Sequence, residues 1–341
     1  FDAERDMMQA IGNLVRDPGF AAYYPSRDHD HEILMLGRSS TPSRPVRLSV
    51  HLTTYGQGRK LLIARDVTAL EQAEAMRRDF VANVSHEIRT PLTVLTGFIE
   101  TLQTLALTGE ERSRYLGLMA QQAARMQTVV RDLLTLSRLE GSPLPGMSEW
   151  IAVDSLLSQC EQEARALSML VVGQNAAPQQ LHFGVSEPGE DMGEIAGTHH
   201  EILSAMSNLV SNAIRYTPAG GTVDVRWQWL PDGRAEFSVQ DSGPGIAPEH
   251  LPRLTERFYR VDRSRSRETG GTGLGLAIVK HVTQRHGSVL RIDSTPGVGS
   301  RFAITFPANR LRVPAGAMAV GMAATLPVKP VAAAQPAAVS A

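Results

Sequence analysis

Two groups of residues in this 341-residue chain have types and spacings that could do chemistry. The first is the run SHEIRTPLT at positions 85–93. On a helix His86 and Thr90, four apart, share a face, and Glu87 follows the histidine directly. An outward imidazole beside a carboxylate, near a built-in bend, suits a nucleophile that two different partners must reach. Pro91 removes a backbone donor and crowds the carbonyl of Glu87, which predicts a kink one turn past the histidine. The second group lies far downstream. Asn208, Asn212 and Arg215, spaced four and three apart, share a helix face, and Tyr216 follows. An amide oxygen can ligate Mg²⁺ and a guanidinium can meet phosphate. Asp241 at a strand end, followed by Gly243 and Gly245, forms a bent loop with room for a ligand at the backbone. Gly270, Gly271, Thr272, Gly273, Leu274 and Gly275 open a helix whose exposed amides make an anion site. Gly297-Val-Gly299-Ser300 lies between strands. Taken singly, each piece has a plain alternative: a surface histidine, a turn, a solvated loop. Their order within one chain favours phosphate chemistry.

The elements that must position these residues follow from periodicity. Val81, Val84, Ile88, Leu92, Leu95, Ile99 and Leu102 form a stripe at helical spacing that predicts a helix over 69–107, with His86 on another face. Leu116, Met119, Ala123, Met126, Val130, Leu133 and Ser137 alternate by three and four, which predicts a second helix ending near 140 with a coiled-coil-like seam. Two long helices joined by a short break make an antiparallel hairpin, and one hairpin leaves its stripe half covered. Pairing two copies into a four-helix bundle covers it, so a symmetric homodimer is expected. The alternative is that the stripe packs on another domain of the same chain.

Residues 141–146 read as a linker. From 149 to 307 the pattern changes to helices over 154–169, 198–215 and 274–286 and strands over 181–185, 193–197, 222–229, 235–240, 288–294 and 299–306. This is an α+β domain with helices on one face of a mixed sheet. Residues 1–67 show a helical pattern over 7–15 and strands over 46–53 and 60–64, too little for a stable domain alone. The expected organisation is the back part of a small α+β domain at 1–67, a helical hairpin at 68–141, an α+β domain at 147–308, and a disordered Ala/Pro-rich tail at 309–341.

Composition narrows the function classes. A formal net charge of −1 gives no bulk electrostatic case for nucleic acid or membrane surfaces. The single cysteine, Cys160, excludes an internal disulfide and reads as a small buried side chain. No apolar run is long enough to span a bilayer, and no signal peptide is visible. The chain starts at Phe1 within a domain pattern, so it reads as a fragment, itself soluble and cytoplasmic. The parent is expected in a bacterial inner membrane with these domains facing the cytoplasm, the membrane being reached only through a segment outside this sequence.

The order of the downstream pieces resembles the ATP-binding domain shared by histidine kinases and gyrase-type ATPases. In family terms residues 208–216 match the N box, 241–245 the G1 box, Glu256-Arg257-Phe258-Tyr259-Arg260 the F box, and 271–275 the G2 box. The resemblance implies that Asn212 binds Mg²⁺, Arg215 contacts phosphate, Asp241 accepts from the adenine amino group and Tyr216 lines the base pocket. It implies that Asn208, Gly243, Gly245, Gly271, Thr272, Gly273, Leu274 and Gly275 complete the nucleotide site, with 263–267 and 270–275 as a lid. Residues 80–92 match the H box, so the chain resembles bacterial two-component sensor histidine kinases. Residues 65–93 and a PAS-like remnant before them are most similar to the phosphate-regulon members.

The activity so implied is ATP- and Mg²⁺-dependent phosphorylation of His86, with Glu87 as base. The phosphoryl group then passes to an aspartate of a response regulator. Thr90 would position water in the reverse, phosphatase reaction, and the pathway would be phosphate-starvation signalling. The alternatives are a histidine kinase of another two-component pathway, or a gyrase-like ATPase without phosphotransfer. No direct nucleic-acid partner is implied.

Overall fold

The computed structural model describes residues 9, 11–26, 29–41, 45–56, 59–172, 176–185, 192–261 and 271–313. The chain divides into two compact units, residues 1–87 and 88–341.

In the first unit, short helices α1 (Ile11–Leu14) and α2 (Pro18–Tyr23) accompany a three-stranded antiparallel sheet, β1 (Ile33–Leu36), β2 (Arg47–Tyr55) and β3 (Arg59–Asp66), in that order. Of the helix expected over 7–15, residues 11–14 form α1 and residues 7, 8 and 10 lie outside the described residues, while α2 was not expected. Pro18 cannot continue a preceding helix but suits a first turn, and the Asp17 carboxylate accepts from the amides of Gly19 and Phe20 to cap the new start. The expected strand pair is present, turned at Gly56, whose φ is 56°. The sequence reading missed β1, a run of only four residues. Val15, Phe20, Tyr23, Val50 and Leu52 form the core. The Tyr23 hydroxyl donates to the His31 carbonyl at 2.8 Å and accepts from the Leu52 amide at 3.2 Å, fastening α2 to β2.

Helix α3 (Thr68–Thr104) follows β3 almost directly and carries the 85–93 run. Pro91 lies inside it and is buried, and it has no amide hydrogen to offer to the helix ladder. Thr93, Thr96, Thr101 and Thr104 each donate a hydroxyl to the carbonyl four residues back.

In the second unit, α4 (Gly109–Gly141) opens on a reciprocal capping box. Thr108 Oγ1 accepts from the Glu111 amide, and Glu111 Oε2 accepts from the Thr108 amide. Phe98 and Tyr115 meet across the hairpin, ring centroids 5.6 Å apart. None of the seven α3 stripe residues is buried, and Leu116 and Val130 of the α4 seam are 52% and 45% exposed. The neighbouring face of α4 is covered instead: Val129, Leu136 and Leu139 are buried against the domain that follows. Among the described residues, packing within the chain therefore buries a face beside the seam and leaves the seam residues exposed or half-buried.

That domain comprises β4 (Trp150–Ala152), α5 (Val153–Val172), β5 (Gln180–Val185), β6 (Glu194–Ala196), α6 (His199–Tyr216), β7 (Thr222–Trp229), β8 (Ala235–Asp241), α7 (Gly275–Arg285), β9 (Val289–Thr295), β10 (Gly299–Phe306) and β11 (Leu311–Arg312). The main sheet runs β5-β7-β8-β10-β9, with β5 and β7 parallel and the other pairs antiparallel. On β7, Val223, Val225 and Trp227 point inward in alternation and are buried, as are Leu209, Ile214 and Ile278 on the helices.

A second sheet, β11-β6-β4, was not expected. Strand β6 lies within the strand expected over 193–197, while β4 and β11 have three and two residues, too few to show a period. Strand β11 also carries the ordered domain past residue 308, where the sequence reading began the tail. The reason is Arg310, buried and donating to the carbonyls of Pro145, Gly146 and Ala196. The tail expected beyond it, from 314 on, lies outside the described residues.

Candidate nucleotide site

The site is built at the end of α6, the turn after β8 and the start of α7. These elements enclose a cavity of about 650 Å³ lined by Asn208, Asn212, Arg215, Tyr216, Asp241, Gly245, Gly271, Thr272, Gly273 and Gly275, among others. Helical spacing brings Asn208, Asn212 and Arg215 to one face of α6, as expected, and Tyr216 lines the cavity beside them. Folding then brings the β8 turn and the glycine loop to that face.

Asp241 ends β8 and is buried, at 7% exposure. Its Oδ1 accepts from the amides of Gly243 at 2.9 Å and Ser300 at 3.3 Å. Among the described residues both bonds go to Oδ1, which leaves Oδ2 for a donor in the cavity. Burial pushes this carboxyl above its ordinary range, and the two amides pull it back. Gly245 adopts a φ of 69°, and a Cβ there would lie 2.1 Å from the carbonyl oxygen of Thr295. This close approach of the turn to the β9–β10 connection requires glycine. Gly243 backs the site, tight against the Tyr216 carbonyl.

Asn208 turns its amide nitrogen to the Ser204 carbonyl at 2.8 Å, and its Oδ1 lies against Gly275 at the start of α7. The Thr272 hydroxyl accepts from the Leu274 amide at 3.2 Å. Leu274 is fully buried, so its side chain anchors the loop in the core and does not line the cavity. Phe258, in the matched F box, has a φ of 62° and donates its amide to the Gly273 carbonyl at 2.8 Å. A non-glycine residue in the left-handed region is held against its preference here by the glycine loop. Arg263, Arg265, Arg267 and Gly270, expected in a lid, lie outside the described residues.

The sequence reading missed one wall. Thr128, Arg131, Asp132 and Thr135 of α4 line the same cavity, as do Cys160, Ala164 and Leu167 of α5. Asp132 Oδ2 accepts from the Thr272 hydroxyl at 2.6 Å. Burial pushes the Asp132 carboxyl up and lowers the Arg215 guanidinium, while attraction between the two opposes both shifts. No local signal marks these residues, because the α4 pattern is dominated by its seam. Cys160 is buried as expected, and burial pushes its thiol up to about 12.

Below the cavity the end of α4 is tied down. The Arg285 guanidinium donates to Glu201 Oε2 at 3.0 Å and Oε1 at 3.1 Å, and to the carbonyls of Leu139 (2.8 Å), Ser142 (2.9 Å) and Pro143 (2.7 Å). All five of its N–H groups are used. Arg257 pairs with Glu140 on the same helix end. His86, Glu87 and Thr90 stand on α3, where His86 and Thr90 are exposed and Glu87 is half-buried.

Residues 197–310 match the family described as histidine kinase-, DNA gyrase B- and HSP90-like ATPase, and residues 76–142 match the His Kinase A (phospho-acceptor) domain. A phosphoacceptor hairpin joined to an ATPase domain of this type defines a histidine kinase, and the chain belongs to that family. Among its relatives is the phosphate regulon sensor protein PhoR of Pseudomonas aeruginosa, 46% identical over 303 residues, which covers 89% of this chain and 65% of that protein. PhoR of Haemophilus influenzae is 34% identical over 260 residues, 76% of this chain and 58% of that protein. The sensor-like histidine kinase SenX3 of Mycobacterium tuberculosis is 38% identical over 251 residues, 73% of this chain and 58% of that protein. The chain spans less than two thirds of the length of these relatives. The solved structure of histidine kinase ThkA in complex with response regulator protein TrrA superposes with a TM-score of 0.52 at 19% identity, covering 82% of this chain and 79% of that one, a likeness of fold. Among the described residues no helix is long and apolar enough to cross a membrane.

Proposed function

We propose that the chain is the kinase portion of a phosphate-regulon sensor of the PhoR type, which phosphorylates itself on His86 from ATP and passes the phosphoryl group to an aspartate of a response regulator. The observation that carries this is the pairing, in one chain, of an exposed His86 in the phosphoacceptor match with a cavity that gathers Asn212, Arg215, Asp241 and the glycine loop. Similarity to two PhoR proteins supports the pathway.

The residues present fit ATP with Mg²⁺. Asp241 Oδ2 suits the adenine amino group. Arg215 and the start of α7 suit phosphates. The Asn212 carboxamide, on the cavity wall, would hold the metal. Bound Mg²⁺ would neutralise charge developing on the phosphates.

A neutral ring nitrogen of His86 attacks the γ-phosphorus as the bond to the β-phosphate oxygen breaks and ADP leaves. Glu87 takes the proton from the other ring nitrogen. In the reverse direction Thr90, one turn on, positions water against the regulator's phosphoaspartate. The open seam of α3 and α4 supports a homodimer in which two hairpins form a four-helix bundle.

The test is incubation with γ-labelled ATP and Mg²⁺, wild type beside His86→Gln, followed by acid and alkali washes. Acid-labile, alkali-stable label on wild type alone is the expected result. Label that survives acid or persists in the variant moves the acceptor elsewhere, and hydrolysis without protein label favours an ATPase without phosphotransfer.

A further inference from the structure

We infer that Asp132 of α4 is an intrachain occupant of the phosphate end of the cavity, so that nucleotide must displace α4 in order to bind. The inference rests on the nucleotide reading of the cavity and adds to it a residue that no motif assigns.

Three observations carry it. The Asp132 carboxylate accepts from the Thr272 hydroxyl at 2.6 Å, on the glycine loop at the start of α7. Arg215 lines the same cavity and feels its charge, and it is the guanidinium proposed to meet phosphate. Asp132 lies on the stripe of α4 that includes Val129, Leu136 and Leu139, all buried against the ATPase domain, so the carboxylate is delivered by packing and is no stray surface group. A carboxylate so placed uses the same hydroxyl and the same positive charge that an incoming phosphate needs, and it repels that phosphate.

The rest of α4 explains how the contact can open. Asp132 is two turns before Leu139, whose carbonyl is held by Arg285. The Arg285 hub fixes the end of the helix and the linker, while the Asp132–Thr272 bond is a single contact that can be exchanged for a ligand's. Nucleotide occupancy and release of α4 are thereby linked, and linkage runs both ways: whatever pulls α4 from the cavity tightens nucleotide binding.

The experiment is calorimetric titration of the full chain with ADP and Mg²⁺, comparing wild type, Asp132→Asn and Asp132→Ala. Both substitutions remove the competing charge and are expected to tighten binding by about tenfold, the factor that ~1.4 kcal/mol represents. Equal or weaker binding in both variants overturns the inference. Absence of binding in all three proteins overturns the nucleotide reading itself. A second measurement needs no variant. Hydrogen exchange of residues 128–139 in the wild-type chain should quicken when ADP and Mg²⁺ are added, and unchanged or slower exchange counts against displacement.

Discussion

Asn208 and Gly275 meet where α6 passes the start of α7: a Cβ built on Gly275 would lie 2.5 Å from Asn208 Oδ1. The atom in the way ends a short side chain that can rotate. Gly275→Ala should therefore displace the Asn208 carboxamide at a cost of about 1 kcal/mol and weaken nucleotide binding more than it lowers the melting temperature. Gly299 is the contrast. Its φ is 138°, and a Cβ there would lie 1.9 Å from the backbone oxygen of Asp241, which cannot rotate away. Gly299→Ala should cost more than about 2 kcal/mol in denaturant titration. Similar stability losses in the two variants would contradict the distinction.

Arg285 and Glu201 form an ion pair with side chains only 9% and 6% exposed. Removing one partner strands the other charge in the interior. Arg285→Leu should destabilise by about 3–5 kcal/mol. Arg285→Lys keeps the charge but not the fork, so it should recover only part of that loss. Chemical denaturation of both variants checks this, and full recovery by lysine would mean that charge alone matters.

His286 is fully buried. Its Nδ1 pairs with the Val282 carbonyl at 2.9 Å, and its Nε2 accepts from the Thr198 amide at 3.4 Å. Burial is the largest influence and lowers its proton affinity below the ordinary imidazole value. The unfolded chain then binds a proton that the folded chain refuses, over the range from about pH 6.5 down to the folded value. Stability is present above pH 6.5 and lost as pH falls through this range. His281, also shifted down chiefly by burial, adds in the same sense. Denaturation midpoints between pH 7.5 and 5.5 should fall in wild type and fall less in His286→Gln. An equal slope in both would remove His286 as a cause.

Thr90 stands one helical turn past His86, and both are exposed. If it positions water for the reverse reaction, Thr90→Ala should leave label on His86 near the wild-type level and slow regulator dephosphorylation by tenfold or more, about 1.4 kcal/mol of barrier. Equal loss of both activities would defeat the assignment.

The hairpin helices and the main sheet were legible because each announces itself over many residues. The α4 seam repeats through the helix, and β7 alternates along its length. The short strands β1, β4 and β11 span two to four residues, less than a readable period, and they were missed, whereas β6 lies within the strand expected over 193–197. Helix α2, which begins at Pro18, was missed because six residues are too few to show a helical period.

By itself the sequence determined the residues that share a helix face or a tight turn: His86 with Thr90, Asn208 with Asn212 and Arg215, Asp241 with its glycines. These relationships are local, set by 3.6 residues per turn and by the backbone freedom of glycine. Tertiary structure alone decided which wall closes the cavity. Asp132 and Thr272 are 140 residues apart, and neither has a neighbour in sequence that signals the other. The same holds for Arg285, whose five bonds reach α4, the linker and α6, and for Leu274, turned into the core from within a glycine motif. Contacts of this kind arise when packed faces bring distant side chains together, and no period along the chain records them.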